Sequence, residues 1–160
     1  MTFQTHVIQT VKNIEHNGMK IALLHCFCQP MNSPESRNLK GMRVLVVEDN
    51  SILQRLTCHI LSQWQVTADV AVNGKVALEM LTGELYDVVL MDIMMPELDG
   101  YEATRRIRAM EGDYFRTLPI FAFSATPDPE MIHECNMNGI ISKSPVVREE
   151  LYQKLIPFLK

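Results

Sequence analysis

A chain of 160 residues is one domain, or one domain plus an extension. With 47% hydrophobic and 21% charged residues it is not disordered overall, and a net charge of −4 argues against a general nucleic-acid binder. The charge is uneven: residues 1–40 carry four Lys/Arg against two Asp/Glu, a balance of +2, whereas residues 41–160 carry eleven against seventeen, a balance of −6.

Residues 1–40 read as an extension or linker. Phe3, Val7, Ile8, Val11 and Ile14 share one helical face, and 18–24 reads as a strand. Residues 29–40, with Pro30, Asn32, Ser33, Pro34, Ser36 and Asn38, have linker composition. The apolar patch at 21–28 is interrupted by His25, Cys26 and Cys28 and is too short for a signal peptide. No run reaches the length of a membrane span, so no membrane insertion is expected. Gly18-Met19-Lys20-Ile21 echoes Gly41-Met42-Arg43-Val44, but the period does not continue.

From residue 41 strand and helix alternate. The β-branched run 42–47 predicts a buried strand, and Asn50 caps a helix with Ile52, Leu53, Leu56, Ile60 and Leu61 on its apolar face. Residues 66–72 predict a second strand, Asn73-Gly74 a turn, and Val76, Ala77, Met80 and Leu81 a second helix. Residues 87–91 form a third strand. Asp99 caps a third helix with Tyr101, Ala103, Ile107 and Met110. A strand at 118–123, a short helix at 128–137, a strand at 139–142 and a helix at 146–159 complete the pattern. In the last helix Val147, Leu151, Leu155 and Phe158 face inward. Five strands alternating with five helices predict an open parallel α/β sheet with helices on both faces. The four cysteines, Cys26, Cys28, Cys58 and Cys135, are too few for a disulfide scaffold and suit a reducing cytoplasm. Cys26-x-Cys28 lacks a second Cys/His pair at zinc spacing.

In such sheets chemistry gathers beyond the carboxyl ends of the strands. The residues there are Glu48 and Asp49 after the first strand, Asp92 after the third, Ser124 after the fourth and Lys143 after the fifth. Three half-buried carboxylates repel one another, and a divalent cation relieves that repulsion. Hard oxygen ligands with room for phosphate and water suit Mg²⁺. Lys143 and Ser124 then serve as phosphate ligands, and Asp92 as a nucleophile toward phosphorus. The methionines at 91, 94 and 95 read as core packing, because thioethers are poor ligands for a hard ion. Tyr101 reads as core or surface cover.

Three stretches carry a family resemblance. They are Val44-Leu-Val-Val-Glu48-Asp49-Asn50, Asn73-Gly74-x-x-Ala77-Leu78, and Tyr86-Asp87-Val-Val-Leu-Met-Asp92-Ile-Met-Met-Pro96-x-x-Asp99-Gly100. Over residues 41–160 the chain resembles a response-regulator receiver domain, of the type attached to hybrid sensor histidine kinases. The resemblance implies a flavodoxin-like three-layer sandwich with strand order 2-1-3-4-5. It implies that Asp92 accepts a phosphoryl group from a phosphohistidine on a sensor histidine kinase or a histidine phosphotransfer protein. Glu48, Asp49 and Asp92 would hold Mg²⁺ together with the backbone carbonyl of Met94, and Ser124 and Lys143 would contact the phosphoryl group. The domain would act as a cytoplasmic signalling phosphoacceptor rather than as a turnover enzyme.

The chain departs from the family pattern in places. Ile140 stands where an aromatic residue is usual, three positions before the lysine, and Ser144 separates Lys143 from Pro145. A cis bond would fit only Ser144-Pro145. The 19 positions from Ser124 to Lys143 are fewer than the family leads one to expect, and the loss is expected in the fourth helix. A retained phosphorylation chemistry with a redirected structural response follows. In the family, the side chains two positions beyond the phosphoacceptor and beyond the hydroxyl residue tune loss of the phosphoryl group. Here these are Met94 and Thr126; Met94 orients water poorly, so the phosphoryl group is expected to persist.

With no effector expected after the receiver segment, the chain fits a phosphorelay intermediate or a docking module. Residues 1–40 are open to three roles: a cover, a homodimer contact or a disordered arm. The competing reading is a pseudo-receiver, an interaction module that phosphorylation does not regulate. A phosphohydrolase ranks lower: no histidine follows any strand of residues 41–160 to serve as general acid or base.

Overall fold

The computed structural model describes residues 10–16, 19–25, 38–143 and 147–160. The chain divides into two units, Met1–Ser36 and Arg37–Lys160. In the first, β1 (Thr10–His16) and β2 (Met19–His25) pair antiparallel, Thr10 opposite His25 and His16 opposite Met19. The expected N-terminal helix is therefore corrected: Val11 and Ile14 lie in a strand, and Phe3, Val7 and Ile8 fall outside the described residues. An i, i+3 spacing cannot separate helix from strand over so short a stretch. In sequence Asn17-Gly18 separates the two strands, and Asn-Gly is a strong hairpin signal.

In the second unit the apolar runs form the strands. In chain order it contains β3 (Arg43–Val47), α1 (Ser51–Ser62), β4 (Thr67–Ala71), α2 (Gly74–Gly83), β5 (Val88–Met91) and α3 (Gly100–Ala109). There follow α4 (Asp113–Thr117), β6 (Ile120–Ser124), α5 (Pro129–Glu134), β7 (Gly139–Ser142), α6 (Val147–Leu155) and a 3-10 turn at Ile156–Phe158. The sheet order is β4-β3-β5-β6-β7, with every pair parallel. Counted within this sheet, that is the flavodoxin-like order 2-1-3-4-5.

Alternation along the strands sends side chains to two cores. Leu45, Val47, Val89, Met91, Ile120 and Ala122 meet Ala77 and Leu81 of α2 and Ala103 and Ile107 of α3 on one face. Val44, Val46, Val88, Leu90, Phe121 and Phe123 meet Ile60 and Leu61 of α1, Trp64, and Leu151 and Leu155 of α6 on the other. Each fully buried Leu, Ile or Val contributes about 1.5–3 kcal/mol by leaving water, before the entropy of ordering the chain. Three layers result.

The elements depart from expectation in three ways, while the shortening expected before Lys143 does fall in the helix there. A sixth helix, α4, occupies the α3–β6 connection among the described residues. At five residues it is too short to show a period. Ile52 and Leu56 are 73% and 51% exposed, so they leave the expected apolar face of α1, and Thr57 is buried instead. Residues 57, 60, 61 and 64 form the inward stripe, and 52 and 56 lie one turn apart beside it. Asn73 accepts the Val76 N–H at 2.9 Å, so Asn73-Gly74 starts a helix rather than making a plain turn. The short span before Lys143 leaves α5 six residues long.

Candidate phosphoacceptor site

The sheet register aligns the ends of four strands. Past the end of β3, the Glu48 N–H donates to the Ala71 carbonyl at 3.0 Å. Past β5, the Asp92 N–H donates to the Val47 carbonyl at 2.9 Å, and past β7, the Lys143 N–H reaches the Ser124 carbonyl at 3.3 Å. These bonds carry the ladder one residue beyond each strand. They place Glu48, Asp92, Ser124 and Lys143 on one edge, where the strand order reverses around β3.

Glu48, Asp92 and Ser124 are buried, and Asp49 is exposed. One oxygen from each of Glu48, Asp49 and Asp92 lies within 4.8 Å of the others. Lys143 Nζ stands 2.6 Å from Glu48 Oε2 and 2.8 Å from Asp92 Oδ2. Burial pushes the Glu48 carboxyl above the ordinary glutamate range; Lys143 opposes that rise and the charge of Asp92 adds to it. The Lys143 ammonium also sits 5.5 Å from the centre of the Phe123 ring. The Ser124 hydroxyl makes no hydrogen bond to a described residue and is available to a ligand.

Local structure supports each group. Asn50 caps α1 by accepting the Ile52 and Leu53 N–H groups, and its own N–H donates to Glu48 Oε1 at 3.2 Å. Gln54 Nε2 donates to the Glu48 carbonyl at 2.6 Å, which ties α1 to the acidic pair. The Met94 N–H donates to Asp92 Oδ1 at 3.3 Å, while its side chain is 76% exposed. The segment from Asp92 to Gly100 is tightly wound. The Gly100 N–H returns to the Ile93 carbonyl at 3.1 Å, and a Cβ on Gly100 would collide with the Asp92 carbonyl oxygen. Asp99 caps α3 through the Glu102 N–H at 2.8 Å, as expected from its type. Gln54 has no place in the sequence reading, and Gly100 enters it only as the end of the Asp92–Gly100 motif. Gln54 sits at an ordinary helix position that carries no signal, whereas a glycine beside a cap residue does hint at close backbone approach.

The donor set fits a hard divalent cation: carboxylate oxygens only, with one open side at Asp49. Ile140 is half-buried and packs against the core shared by β6, where the family pattern places an aromatic ring. The Ser144-Pro145 bond lies outside the described residues. Among the described residues no helix is long and apolar enough to cross a membrane.

A doubly wound sheet whose switch point holds three carboxylates and a lysine has the architecture of receiver domains. Residues 44–156 match the family model of the response regulator receiver domain, and the chain belongs to that family of two-component histidine-kinase signalling. Probable histidine kinase 4 of Oryza sativa subsp. japonica is 35% identical over 143 residues, which span 76% of this chain and 14% of that protein. Transcription factor SKN7 of Saccharomyces cerevisiae is 36% identical over 124 residues, covering 76% of this chain and 19% of that protein. The chain therefore spans less than a fifth of either relative. Among solved structures, the receiver domain of sensor histidine kinase PA1611 from Pseudomonas aeruginosa PAO1 superposes with a TM-score of 0.67 at 34% identity. That match covers 74% of this chain and 98% of the other, which holds a magnesium ion in its active-site cleft.

Proposed function

We propose that this chain is a Mg²⁺-dependent phosphoacceptor, in which Asp92 takes a phosphoryl group from a phosphohistidine of a sensor histidine kinase or histidine phosphotransfer protein. The observation that carries the reading is Lys143 bonded to a buried Asp92 inside a three-carboxylate cluster. Two buried carboxylates beside a third of like charge cost stability, so their presence together at the strand ends favours a functional role. Glu48, Asp49 and Asp92, with the Met94 carbonyl, would hold the metal. Bound Mg²⁺ would screen the repulsion between the Asp92 carboxylate and the incoming phosphoryl group.

An Asp92 carboxylate oxygen attacks phosphorus, the P–N bond of the phosphohistidine breaks, and the departing imidazole keeps the electron pair. Lys143 places its charge on a phosphoryl oxygen, and Ser124 donates its hydroxyl proton in a hydrogen bond to another. The protein undergoes one transfer per cycle rather than turning over a substrate. Met94 is exposed and has no polar tip to orient a water, which supports a persistent phosphoryl group. Ile52, Leu56 and Met94 leave apolar surface exposed on α1 and in the loop after Asp92, and the donor protein covers it during transfer.

The test is incubation with acetyl phosphate, with and without Mg²⁺, read by intact mass. One phosphoryl addition in Mg²⁺ alone, lost in Asp92→Asn, is expected. No addition to the unsubstituted chain, or equal addition to the variant, overturns the reading. Many phosphates released per protein would favour a hydrolase.

A further inference from the structure

The loop that follows Ser124 has one visible tether. Ala125 and Thr126 are exposed and Pro127 is half-buried, and none of the three makes a hydrogen bond to a described residue. At Asp128 the backbone N–H donates to the Tyr101 hydroxyl oxygen at 2.9 Å. Asp128 is also the cap of α5, accepting the Glu130 N–H at 2.9 Å. Tyr101 stands in the first turn of α3 with its ring packed against the core, directly after Gly100. Gly100 in turn lies against the Asp92 carbonyl, and the buried Thr104 hydroxyl donates to the Gly100 carbonyl at 2.7 Å. One short path of packed backbone and a single hydroxyl thus joins the Asp92 segment to the loop that leaves Ser124.

From this we infer that Tyr101 is a positioning residue for phosphoryl transfer: its hydroxyl, bonded to the Asp128 N–H, holds the β6–α5 loop so that Ser124 meets the phosphoryl group formed on Asp92. The inference rests on the phosphoacceptor reading. Ser124 sits at the last residue of β6, so the path of the next three residues sets its orientation. A fixed donor lowers the barrier because no reorganisation is needed during reaction.

The test compares Tyr101→Phe with the unsubstituted full chain. The substitution keeps the ring and removes only the hydroxyl. Tyr114→Phe is the matched control, since the Tyr114 hydroxyl bonds the Tyr86 N–H and carbonyl away from the phosphoacceptor edge. Phosphorylation by acetyl phosphate in saturating Mg²⁺ is followed by intact mass. Asp128 amide exchange is followed without donor. For Tyr101→Phe the expected result is a roughly threefold to tenfold slower limiting rate, the range of one neutral hydrogen bond. The half-saturating donor and Mg²⁺ concentrations stay unchanged, and Asp128 exchanges faster by a similar factor. For Tyr114→Phe the phosphorylation rate stays at the unsubstituted value. An unchanged or faster rate in Tyr101→Phe, or equal slowing in Tyr114→Phe, overturns the inference and leaves the phosphoacceptor reading intact. Failure of the unsubstituted chain to accept phosphate overturns both.

Discussion

Lys143 stands between two buried carboxylates, and its removal leaves both uncompensated. Breaking a buried charge pair on one side costs about 3–5 kcal/mol, more than the usual single substitution. Lys143→Met is therefore expected to lower the stability of the metal-free protein by about 3 kcal/mol in urea unfolding, with part of the loss recovered in Mg²⁺. Asp92→Asn behaves differently. It removes one of two like charges and leaves the Lys143–Glu48 pair in place, so stability should change by less than about 1 kcal/mol while phosphate uptake disappears. At the opposite edge, burial would raise the Asp87 carboxyl, but Lys160 and the Arg43 N–H outweigh burial and hold it below the ordinary aspartate range. A depressed acid stabilises the fold above its unfolded pKa and loses that contribution as pH falls through the folded one. Asp87→Asn should thus be less stable than the parent at pH 7, and the two urea midpoints should converge as pH falls below the ordinary aspartate value of 3.8.

At the scale of elements, the segment from Asp92 to α3 depends on a missing side chain. Gly100→Ala places a methyl group against the Asp92 carbonyl, and backbone cannot yield as a flexible side-chain tip can. The expected cost is about 2 kcal/mol or more, with phosphate uptake falling in the folded fraction as well. The side of the domain that carries α3, α4 and α5 has its own brace. Arg108, near the end of α3, donates to the Phe115 carbonyl of α4 at 2.7 Å and to the Asn136 carbonyl after α5 at 3.0 and 3.1 Å. One guanidinium thereby ties α3 to α4 and to the turn after α5, two helices too short to stand in isolation. On α1, Ile52→Glu is expected to slow transfer from a phosphohistidine protein at least fivefold and to leave labelling by acetyl phosphate unchanged. The side chain is exposed and its loss removes no core contact. Equal rates with the protein donor would remove Ile52 from the donor surface.

For the molecule as a whole, a cation bound by the acidic cluster would be linked to folding. A ligand that binds only the native state adds RT ln(1 + [L]/Kd), about 2.7 kcal/mol at a hundredfold excess over Kd. Mg²⁺ should therefore raise the melting temperature in a saturable way, and Asp49→Asn should abolish most of that rise. Asp49 is the exposed member of the cluster, so its substitution leaves the buried Lys143 pairs intact. The net charge of −4 acts in the same direction, drawing a cation toward an acidic edge.

Periodicity and residue type alone determined much of this protein. Short β-branched runs between amphipathic segments specify strands buried on both faces, and a parallel sheet follows because its crossovers must be helical. Once the strands are placed, the rule that sites lie beyond their carboxyl ends selects Glu48, Asp49, Asp92, Ser124 and Lys143 without further knowledge. Asn50 and Asp99 were legible as caps because their chemistry is local. What the tertiary structure decided was each contact between segments distant in sequence. Lys143 could be placed at the edge, but only the register shows it bridging Glu48 and Asp92 rather than reaching into solvent. Ile52 and Leu56 matched a helical stripe, yet packing chose Thr57 for the core and left them outside. From sequence Tyr101 reads as core or surface cover, and only the meeting of α3 with the loop after Ser124 brings its hydroxyl to the Asp128 N–H. Local sequence encodes dihedral preference and amphipathic period; which polar tip meets which backbone group depends on how layers stack, and that is a property of the folded whole.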